Sequence, residues 1–296
     1  MSPEIDDVPL DYAACEQEVL DKTGAFQSNG AVLLLNADSY SILGMSQNWP
    51  LISGLGADNP WPYADFFLSE LLANPEELAQ VTETPRCLMA LPSLSRQRKP
   101  FELQAVRTGD VIFIEWIPVG HYQPLSERSL RTTPVSPAAV KAKRQNIYQT
   151  LQAVCVHLRE VMMLDRVMIY QFDAQNAGDI VAENCREDWT PYLGLHYPAT
   201  DIPRVARDLY LKVPSRQIYD SMSPPVALLT LAEYPASEID LTACNLRSVS
   251  PYHLEYLQNM GVRSSLSMAI VHEGKLWGLL SCHHGQPLNL PLELRD

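Results

Sequence analysis

The segment His196–Tyr210 reads HYPATDIPRVARDLY, and its two prolines constrain the backbone on both sides of Asp201. Pro198 and Pro203 favour an extended conformation in the residues that precede them, and Pro203 also suits the first position of a helix. Apolar residues with helical spacing follow at Val205, Ala206 and Leu209. The pattern predicts a rigid bend at Asp201 and then a short amphipathic helix. An aspartate in this place can bind backbone donors near the start of a helix, or it can face a ligand.

Two further blocks follow along the chain, LRSVSPYHLEYLQNMGV at 246–262 and LWGLLSCHH at 276–284. Together with YPATDIP, these blocks resemble the bilin-binding GAF domain of the phytochromes. Three long blocks in the family's order are far more specific than one short motif, and the resemblance spans essentially the whole chain. It implies an α+β fold with a PAS domain followed by a GAF domain, each built from an antiparallel sheet with flanking helices.

Composition limits the classes of function. The chain has 296 residues, of which 46% are hydrophobic, and its 22 basic and 35 acidic residues give a net charge of −13. This charge opposes binding to nucleic acid or to an anionic membrane surface. The apolar runs are too short to span a bilayer, and residues 1–20 carry no basic leader. The sequence therefore predicts a cytoplasmic protein. The six cysteines show no short paired spacing, so neither a zinc site nor a disulfide framework is predicted.

Prolines and hydrophobic periodicity divide the chain into four parts. Residues 1–25 form an acidic arm, 26–120 resemble a PAS domain, 121–137 form a proline-containing linker, and 138–296 form the GAF domain. In the first domain we predict strands at 31–36, 40–46, 101–107 and 111–117, and helices at 63–72 and 76–81. In the second we predict a helix at 138–158, a hairpin at 166–172 and 179–185, a strand within 213–219, and a helix from Ser250-Pro251 to Met260-Gly261.

The last two strands of the GAF domain show an informative alternation. Leu266, Met268 and Ile270 form one predicted face of the first strand, whereas Ser265, Ser267 and Ala269 form the other. In the final strand Trp277, Leu279, Ser281 and His283 are expected to share a face. A face of small hydroxylated residues suits the wall of a pocket. Because neighbours on a strand point to opposite sides, Cys282, His283 and His284 cannot bind one metal ion together.

The resemblance assigns the attachment of the chromophore to the N-terminal arm. Bacterial phytochromes carry the attaching cysteine there, in a Cys-Glu context shortly before a Gly-x-x-Gln turn, and Cys15-Glu16 and Gly24–Gln27 match this pattern. Plant-type members use a cysteine at the position that Tyr252 occupies here. The resemblance therefore implies biliverdin bound covalently to Cys15. It also implies that the arm passes through a loop of the GAF domain and forms a knot, although Ser28-Asn29 replaces the family's usual Pro-His.

The resemblance also implies a pocket for the bilin. The residues that it places there are Tyr170, Tyr197, Asp201, Tyr210, Arg216, Arg247, Ser250, His253, Tyr256, Ser265, Ser267 and His283. Asp201 and His253 would serve the inner ring nitrogens, His283 the carbonyl of the last ring, and the two arginines the propionate carboxylates. Taken singly, these residues have ordinary interpretations as well, because an inward histidine or tyrosine often belongs to a core and an isolated arginine often lies in solvent.

The implied function is a red/far-red photoreceptor that switches by photoisomerisation of a double bond. The full-length protein is expected to be a homodimer that signals through a downstream output domain or a response regulator. Full-length members often carry a histidine kinase, whereas this segment carries no catalytic module. The chain ends at Asp296, where the family begins its closing helix, so we expect a fragment that shows far-red fluorescence and incomplete photoconversion.

Two other classes of function are open from the sequence alone. One is a GAF sensor that binds a cyclic nucleotide or another small regulator without a covalent bond. The other is an enzyme that uses Cys282 and His283. The enzyme is weakened by the opposite directions of neighbouring side chains on a strand, and by the lack of an evident oxyanion loop.

Overall fold

The computed structural model describes residues 18–50, 61–88, 101–118, 147–231 and 234–295. The prediction for Cys15 and the linker predicted at 121–137 lie outside these residues. The strands are β1 (Ala25–Gln27), β2 (Ala31–Asn36), β3 (Ile42–Ser46), β4 (Arg86–Cys87), β5 (Phe101–Thr108), β6 (Val111–Pro118), β7 (Arg166–Phe172), β8 (Gly178–Cys185), β9 (His196–Tyr197), β10 (Ser215–Ile218), β11 (Pro225–Thr230), β12 (Ser264–His272) and β13 (Lys275–His284). The helices are α1 (Trp61–Leu71), α2 (Pro75–Ala79), α3 (Ile147–Val161), α4 (Arg204–Lys212) and α5 (Pro251–Asn259).

The strands form two antiparallel sheets, so the α+β prediction is confirmed. The first sheet has the order β1-β11-β3-β2-β6-β5-β4. Alternation along β2 and β6 buries both of its faces. One face packs against α1 and α2 through a cluster that includes Trp49, Phe67 and Trp116. The other face packs against segments from the second half of the chain, including Tyr219, Ile239, Leu241 and Leu246.

Strand β11 joins the two halves of the chain, and no pattern in the sequence predicts it. It is contributed by residues from the second half, yet it pairs with β3 through Leu228↔Ser46 and with β1 through Ala25↔Ala227. Its Pro225 stands at the first position of the strand, where a missing N–H is tolerated. The short run PVALLT carries no local signal for partners that lie about two hundred residues away.

The described part of the arm lies between two segments of the second half. On one side the backbone of β1 pairs with β11, and the N–H of Leu228 donates to the carbonyl of Gly24 at 2.9 Å. On the other side Gln27 donates to the carbonyl of Leu246 at 2.7 Å, and Ser248 donates to Ala25 at 2.9 Å. Strand β1, at the end of the arm, is therefore fixed by backbone hydrogen bonds on both edges.

The second sheet has the order β10-β12-β13-β7-β8-β9. Helix α3 packs on one face through a cluster that includes Leu151, Leu158, Leu266 and Cys282. Helices α4 and α5 lie on the opposite side. Helix α5 begins as predicted, because the Ser250 side chain accepts a hydrogen bond from the backbone N–H of His253 and Pro251 occupies the first turn. Gly261 follows the end of α5 with a φ of 69°, a conformation that favours glycine.

One prediction about the last strand is wrong. Trp277 does not share a face with Leu279, Ser281 and His283, because it packs against the α3 side together with Leu280 and Cys282. The pairing of β12 with β13 shifts between Ile270 and Val271, so that Gly278 faces Ile270 while Leu276 faces Val271. This β-bulge leaves Trp277 as an extra residue and breaks the simple alternation.

Candidate ligand-binding site

A cavity of about 390 Å³ lies against the second sheet, on the side opposite α3. It is bounded by β7, β10, β12 and β13, by α4 and α5, by the loop 242–250, and by Glu18 and Leu20 of the arm. The predicted site residues that the structure describes all line it, and they are Tyr170, Tyr197, Asp201, Tyr210, Arg216, Arg247, Ser250, His253, Tyr256, Ser265, Ser267 and His283. Its volume falls within the range of small-molecule sites.

The register of the sheet explains how distant residues meet in this cavity. Ser267 pairs with Arg216 on β10 and with Ser281 on β13, and Ser281 in turn pairs with Met168 on β7. One step along the sheet, Ser265 pairs with His283. Because paired residues project from the same face, the small hydroxylated side chains of β12 form the floor between an arginine and a histidine.

Two arginines form the most charged part of the wall. The Arg216 guanidinium donates to the backbone carbonyls of Asn245 at 2.7 Å and Ser248 at 3.1 Å, and also to that of Arg247. Arg247 donates through Nη1 to the carbonyl of Leu20 at 2.7 Å, and its buried Nε has no partner. Within the described residues, no carboxylate lies within ion-pair distance of either guanidinium.

The electrostatic consequence is an uncompensated positive region beside the cavity. Burial, reinforced by the charge of Arg247, lowers the pKa of Arg216 to about 9. Burial also lowers the pKa of Arg247, and nearby groups that include Cys244 and Asp21 oppose that shift. An anionic group entering the cavity would relieve the mutual repulsion of the two arginines. This part of the wall therefore suits a carboxylate or a phosphate.

His283 is an enclosed polar residue of the floor, with 3% of its surface exposed. Its Nε2 lies 3.1 Å from the Ser281 hydroxyl, whereas its buried Nδ1 has no hydrogen-bond partner. Burial lowers the pKa of His283 to about 3, and the charges of Arg166 and His253 act in the same direction. The residue is thus a neutral imidazole with one ring nitrogen free for a ligand.

His253 and Tyr256 project from α5 into the cavity, one helical turn apart. Their rings are nearly parallel, with centroids 6.4 Å apart. Although the imidazole surface opens on to the cavity, the surrounding protein and the charge of Arg216 lower the pKa of His253 to about 4. Leu257 and Met260 continue the same face of α5, as its spacing predicts.

Asp201 lies on the bend, but not as a helix cap. The N-cap of α4 is Pro203, with no side-chain hydrogen bond. The Arg207 guanidinium instead donates to the carbonyls of Ala199 and Ile202, on either side of Asp201. Partial burial raises the pKa of the Asp201 carboxyl. The bend therefore holds an aspartate at the cavity without occupying its oxygens in capping.

Three tyrosines form an aromatic end of the cavity. The ring centroid of Tyr170 lies 6.1 Å from that of Tyr197, and its buried hydroxyl has no partner. Burial raises the pKa of Tyr170 to about 12, with a further contribution from the charge of Asp201. Burial also raises the pKa of Tyr210, which a hydrogen bond with Ser267 partly offsets.

Sequence reasoning did not assign several other residues to this site. Among the lining residues that it left out are Glu18, Leu20, Met168, Thr200, Tyr252, Cys244, Asn245 and Met260. Met168 carried a usable signal, because it alternates with Tyr170 along its strand. The loop residues Cys244 and Asn245 carried none, because irregular segments have no periodicity.

Neither an enzyme that uses Cys282 and His283 nor a metal site finds support in the described part of the chain. Cys282 belongs to the α3 side of the sheet, whereas His283 lines the cavity on the other side, so the two cannot act together. Within the described ranges, no group of three or more His, Cys, Asp or Glu side chains is arranged to hold a metal ion. No helix in those ranges is long and apolar enough to cross a membrane.

Comparison with known proteins identifies the class of protein to which this fold and this cavity belong. The family model for the GAF domain matches residues 146–295, which include the second sheet, α4, α5 and the cavity. The chain is also similar to the chromophore-binding domain of a Stigmatella aurantiaca bacteriophytochrome, a Thr289His mutant in the Pr state. The two structures agree with a TM-score of 0.74 and 30% sequence identity, over 95% of this chain and 94% of that one.

Two sequence relatives point to the same family. A bacteriophytochrome of Pseudomonas aeruginosa is 35% identical over 97% of this chain. A bacteriophytochrome of Xanthomonas campestris pv. campestris is 49% identical over 47% of this chain. The chain belongs to the bacteriophytochrome family of photoreceptors. It spans 39% of the length of the Pseudomonas protein and 22% of the Xanthomonas protein.

Proposed function

We propose that this chain binds biliverdin in the cavity, attaches it covalently to Cys15, and senses red and far-red light. The observation that carries the proposal is the buried pair Arg216 and Arg247, which faces the cavity without a carboxylate partner among the described residues. A bilin is a linear tetrapyrrole with two propionate carboxylates, and a planar guanidinium suits a carboxylate. The partnerless Nδ1 of His283 and hydroxyl of Tyr170 give further polar sites for the ligand.

The place of the arm supports attachment through Cys15. Glu18 and Leu20 line the cavity, and Cys15 precedes Glu18 by three residues, a span of about 10 Å in an extended chain. The hydrogen bonds on both edges of residues 24–27 also support the proposal that the arm is threaded through the loop of the GAF domain. We further propose the PAS assignment of the first domain and the boundaries 1–25, 26–120, 121–137 and 138–296.

When bound, biliverdin supplies a conjugated π-system that absorbs red light and can isomerise at the double bond leading to its last ring. The protein residues orient it. Asp201 would offer its backbone carbonyl to the inner ring nitrogens and its carboxylate to the switching region, and His253 would hold the protonated chromophore through ring nitrogens or a shared water. His283 would hydrogen-bond the carbonyl of the last ring. Tyr170, Tyr197 and Tyr210 would pack around that ring, while Ser250, Tyr256, Ser265 and Ser267 would complete the polar and aromatic contacts.

The signal leaves this segment for parts of the protein that lie outside it. We propose a homodimeric, cytoplasmic full-length protein that passes the signal to an output domain or a response regulator. The net negative charge of the chain argues against a nucleic acid or an anionic membrane as a partner.

The test is to mix the purified protein with biliverdin and record visible spectra before and after red illumination. We expect a red-absorbing complex whose spectrum changes on illumination and whose colour stays with the protein after denaturation. An arginine pair also suits the phosphate of a cyclic nucleotide, so the same sample is tested with cyclic AMP and cyclic GMP. Cyclic-nucleotide binding without any colour from biliverdin would replace the photoreceptor proposal with the GAF regulator.

A further inference from the structure

A carboxylate outside the cavity holds the loop that carries the arginine contacts. Glu115 lies in β6 with no exposed surface. Its Oε1 accepts hydrogen bonds from the backbone N–H of Leu246 at 2.7 Å and from the Cys244 thiol at 3.2 Å. Its Oε2 accepts one from Asn245 Nδ2 at 3.1 Å. Three donors from one loop therefore converge on a single side chain of the first sheet.

The opposite edge of the same loop holds Arg216. The carbonyls of Asn245, Arg247 and Ser248 all accept hydrogen bonds from its guanidinium. The loop 244–248 thus lies between a carboxylate that binds its donors and a guanidinium that binds its carbonyls. Because Arg247 is itself part of this loop, the conformation that Glu115 fixes sets the position of both arginines.

We propose that Glu115 is a positioning residue for the ligand's carboxylates. By fixing residues 244–248 it aims Arg216 and Arg247 into the cavity, so the first domain takes part in ligand selection without touching the ligand. The inference rests on the proposed bilin ligand, because it requires a ligand with carboxylates. A lone glutamate in VIFIEWIP, a strand with apolar neighbours on both faces, is the sequence feature that corresponds to this role.

A purely electrostatic role of Glu115 and a positioning role predict opposite effects of Glu115→Gln on the preference for an anionic ligand. Removing a negative charge near two arginines strengthens their attraction for an anion. Replacing one acceptor oxygen by an NH₂ group, however, sets donor against donor at the loop and leaves buried groups unpaired. Burial raises the pKa of the Glu115 carboxyl, and the hydrogen bonds from Leu246, Cys244 and Asn245 oppose that shift. The sign of the change in ligand preference therefore identifies the mechanism.

The experiment compares biliverdin with its dimethyl ester, in which both propionates are neutral. The measured quantity is the ligand concentration that gives half of the maximal initial rate of colour formation. We expect the unmodified protein to prefer biliverdin by about tenfold or more, which corresponds to one or more charge-assisted hydrogen bonds. Glu115→Gln should reduce this preference about three- to tenfold, mainly through weaker biliverdin uptake, while uptake of the ester changes little. Glu115→Asp should restore part of the preference.

Asp220→Asn is the matched control. The Asp220 carboxylate is largely buried, and it accepts hydrogen bonds from the backbone N–H of Met222 at 3.1 Å, from the Ser223 hydroxyl at 3.0 Å and from the Arg263 guanidinium at 2.6 Å, none of which belongs to the loop 244–248. It should leave the preference unchanged. Equal weakening of both ligands by Glu115→Gln would show a merely structural role, and a raised preference would show a purely electrostatic one, so either result overturns the inference. An unmodified protein without any preference would instead remove carboxylate recognition from the proposed function, and this inference with it.

Discussion

At the scale of single residues, the proposed covalent bond depends on one thiol. We expect Cys15→Ser to take up biliverdin but to lose the adduct that survives a denaturing gel and fluoresces with zinc, because a thioether requires the sulfur. Cys244→Ser is the control, since Cys244 is a cysteine that lines the cavity. Burial raises the pKa of Cys244 well above its usual value, which disfavours the reactive thiolate. An adduct that persists in Cys15→Ser and disappears in Cys244→Ser would move the attachment site.

His283 gives the ligand-free protein a defined dependence on pH. Its pKa is lowered from 6.5 to about 3 in the folded state, so protonation favours the unfolded chain. The stabilising contribution is complete above pH 6.5 and is lost as the pH falls below it, by about 1.4 kcal/mol per pH unit. Between pH 7.5 and pH 5.5 the free energy of unfolding should fall by about 1 kcal/mol more in the unmodified protein than in His283→Gln. Urea unfolding at both pH values measures this, and identical losses would mean that the folded protein accepts the proton on His283.

The resemblance to the phytochromes supplied most of the predicted cavity residues, and strand alternation supplied the wall of Ser265, Ser267 and His283, because alternation is a local rule. Neither shows what each side chain binds. The three carbonyls that hold Arg216 belong to an irregular loop, and its anchor Glu115 comes from another domain. No local pattern relates residues 115, 216 and 245, so these contacts could be read only from the structure.

At the scale of elements, the ring of Tyr170 on β7 lies against the backbone of β8, so that a glycine is required at position 178. A Cβ added at Gly178 would lie 1.9 Å from the ring of Tyr170. We expect Gly178→Ala to cost about 1–3 kcal/mol of stability through overpacking and to turn the tyrosine away from the bilin, shifting the absorption of the complex. Thermal unfolding and visible spectra measure the two effects.

A second substitution separates the ring contact from the backbone effect. Tyr170→Ala removes the colliding atoms, so Gly178→Ala should cost much less stability in that background, and the two changes should be non-additive. Additive costs would show that the strand, and not the ring of Tyr170, rejects the methyl group.

The elements also show where sequence patterns reach their limit. The four principal strands predicted for the first domain and the hairpin of β7 and β8 agree with the structure to within about two residues, a normal uncertainty for element ends. Strand β11 was not predicted, because a six-residue run with partners from another domain has no local periodicity. Trp277 was placed on the wrong face because a bulge adds one residue where strict alternation was assumed.

At the scale of the whole molecule, the two halves share a core as well as a strand. The cluster between the first sheet and the second half contains Phe26, Phe113, Tyr219 and Leu246, all buried. The same interface encloses Glu115 and Gln104, whose side chains bind residues 244–246 and Arg295. Buried polar groups that are satisfied only across an interface penalise its opening. We therefore expect the ligand site and the first sheet to unfold together.

This coupling predicts that a core substitution far from the cavity lowers the stability of the bilin complex. Leu35 is fully buried in the α1 side of the first sheet, so Leu35→Ala should cost about 2–5 kcal/mol. We expect the urea midpoint followed by bilin absorption to move as far as the midpoint followed by far-UV circular dichroism, in one shared transition. Val271→Ala, at a position with 47% of its surface exposed, should move neither midpoint measurably. A bilin transition that stays in place while part of the dichroism signal shifts would show that the second domain holds its ligand independently of the first.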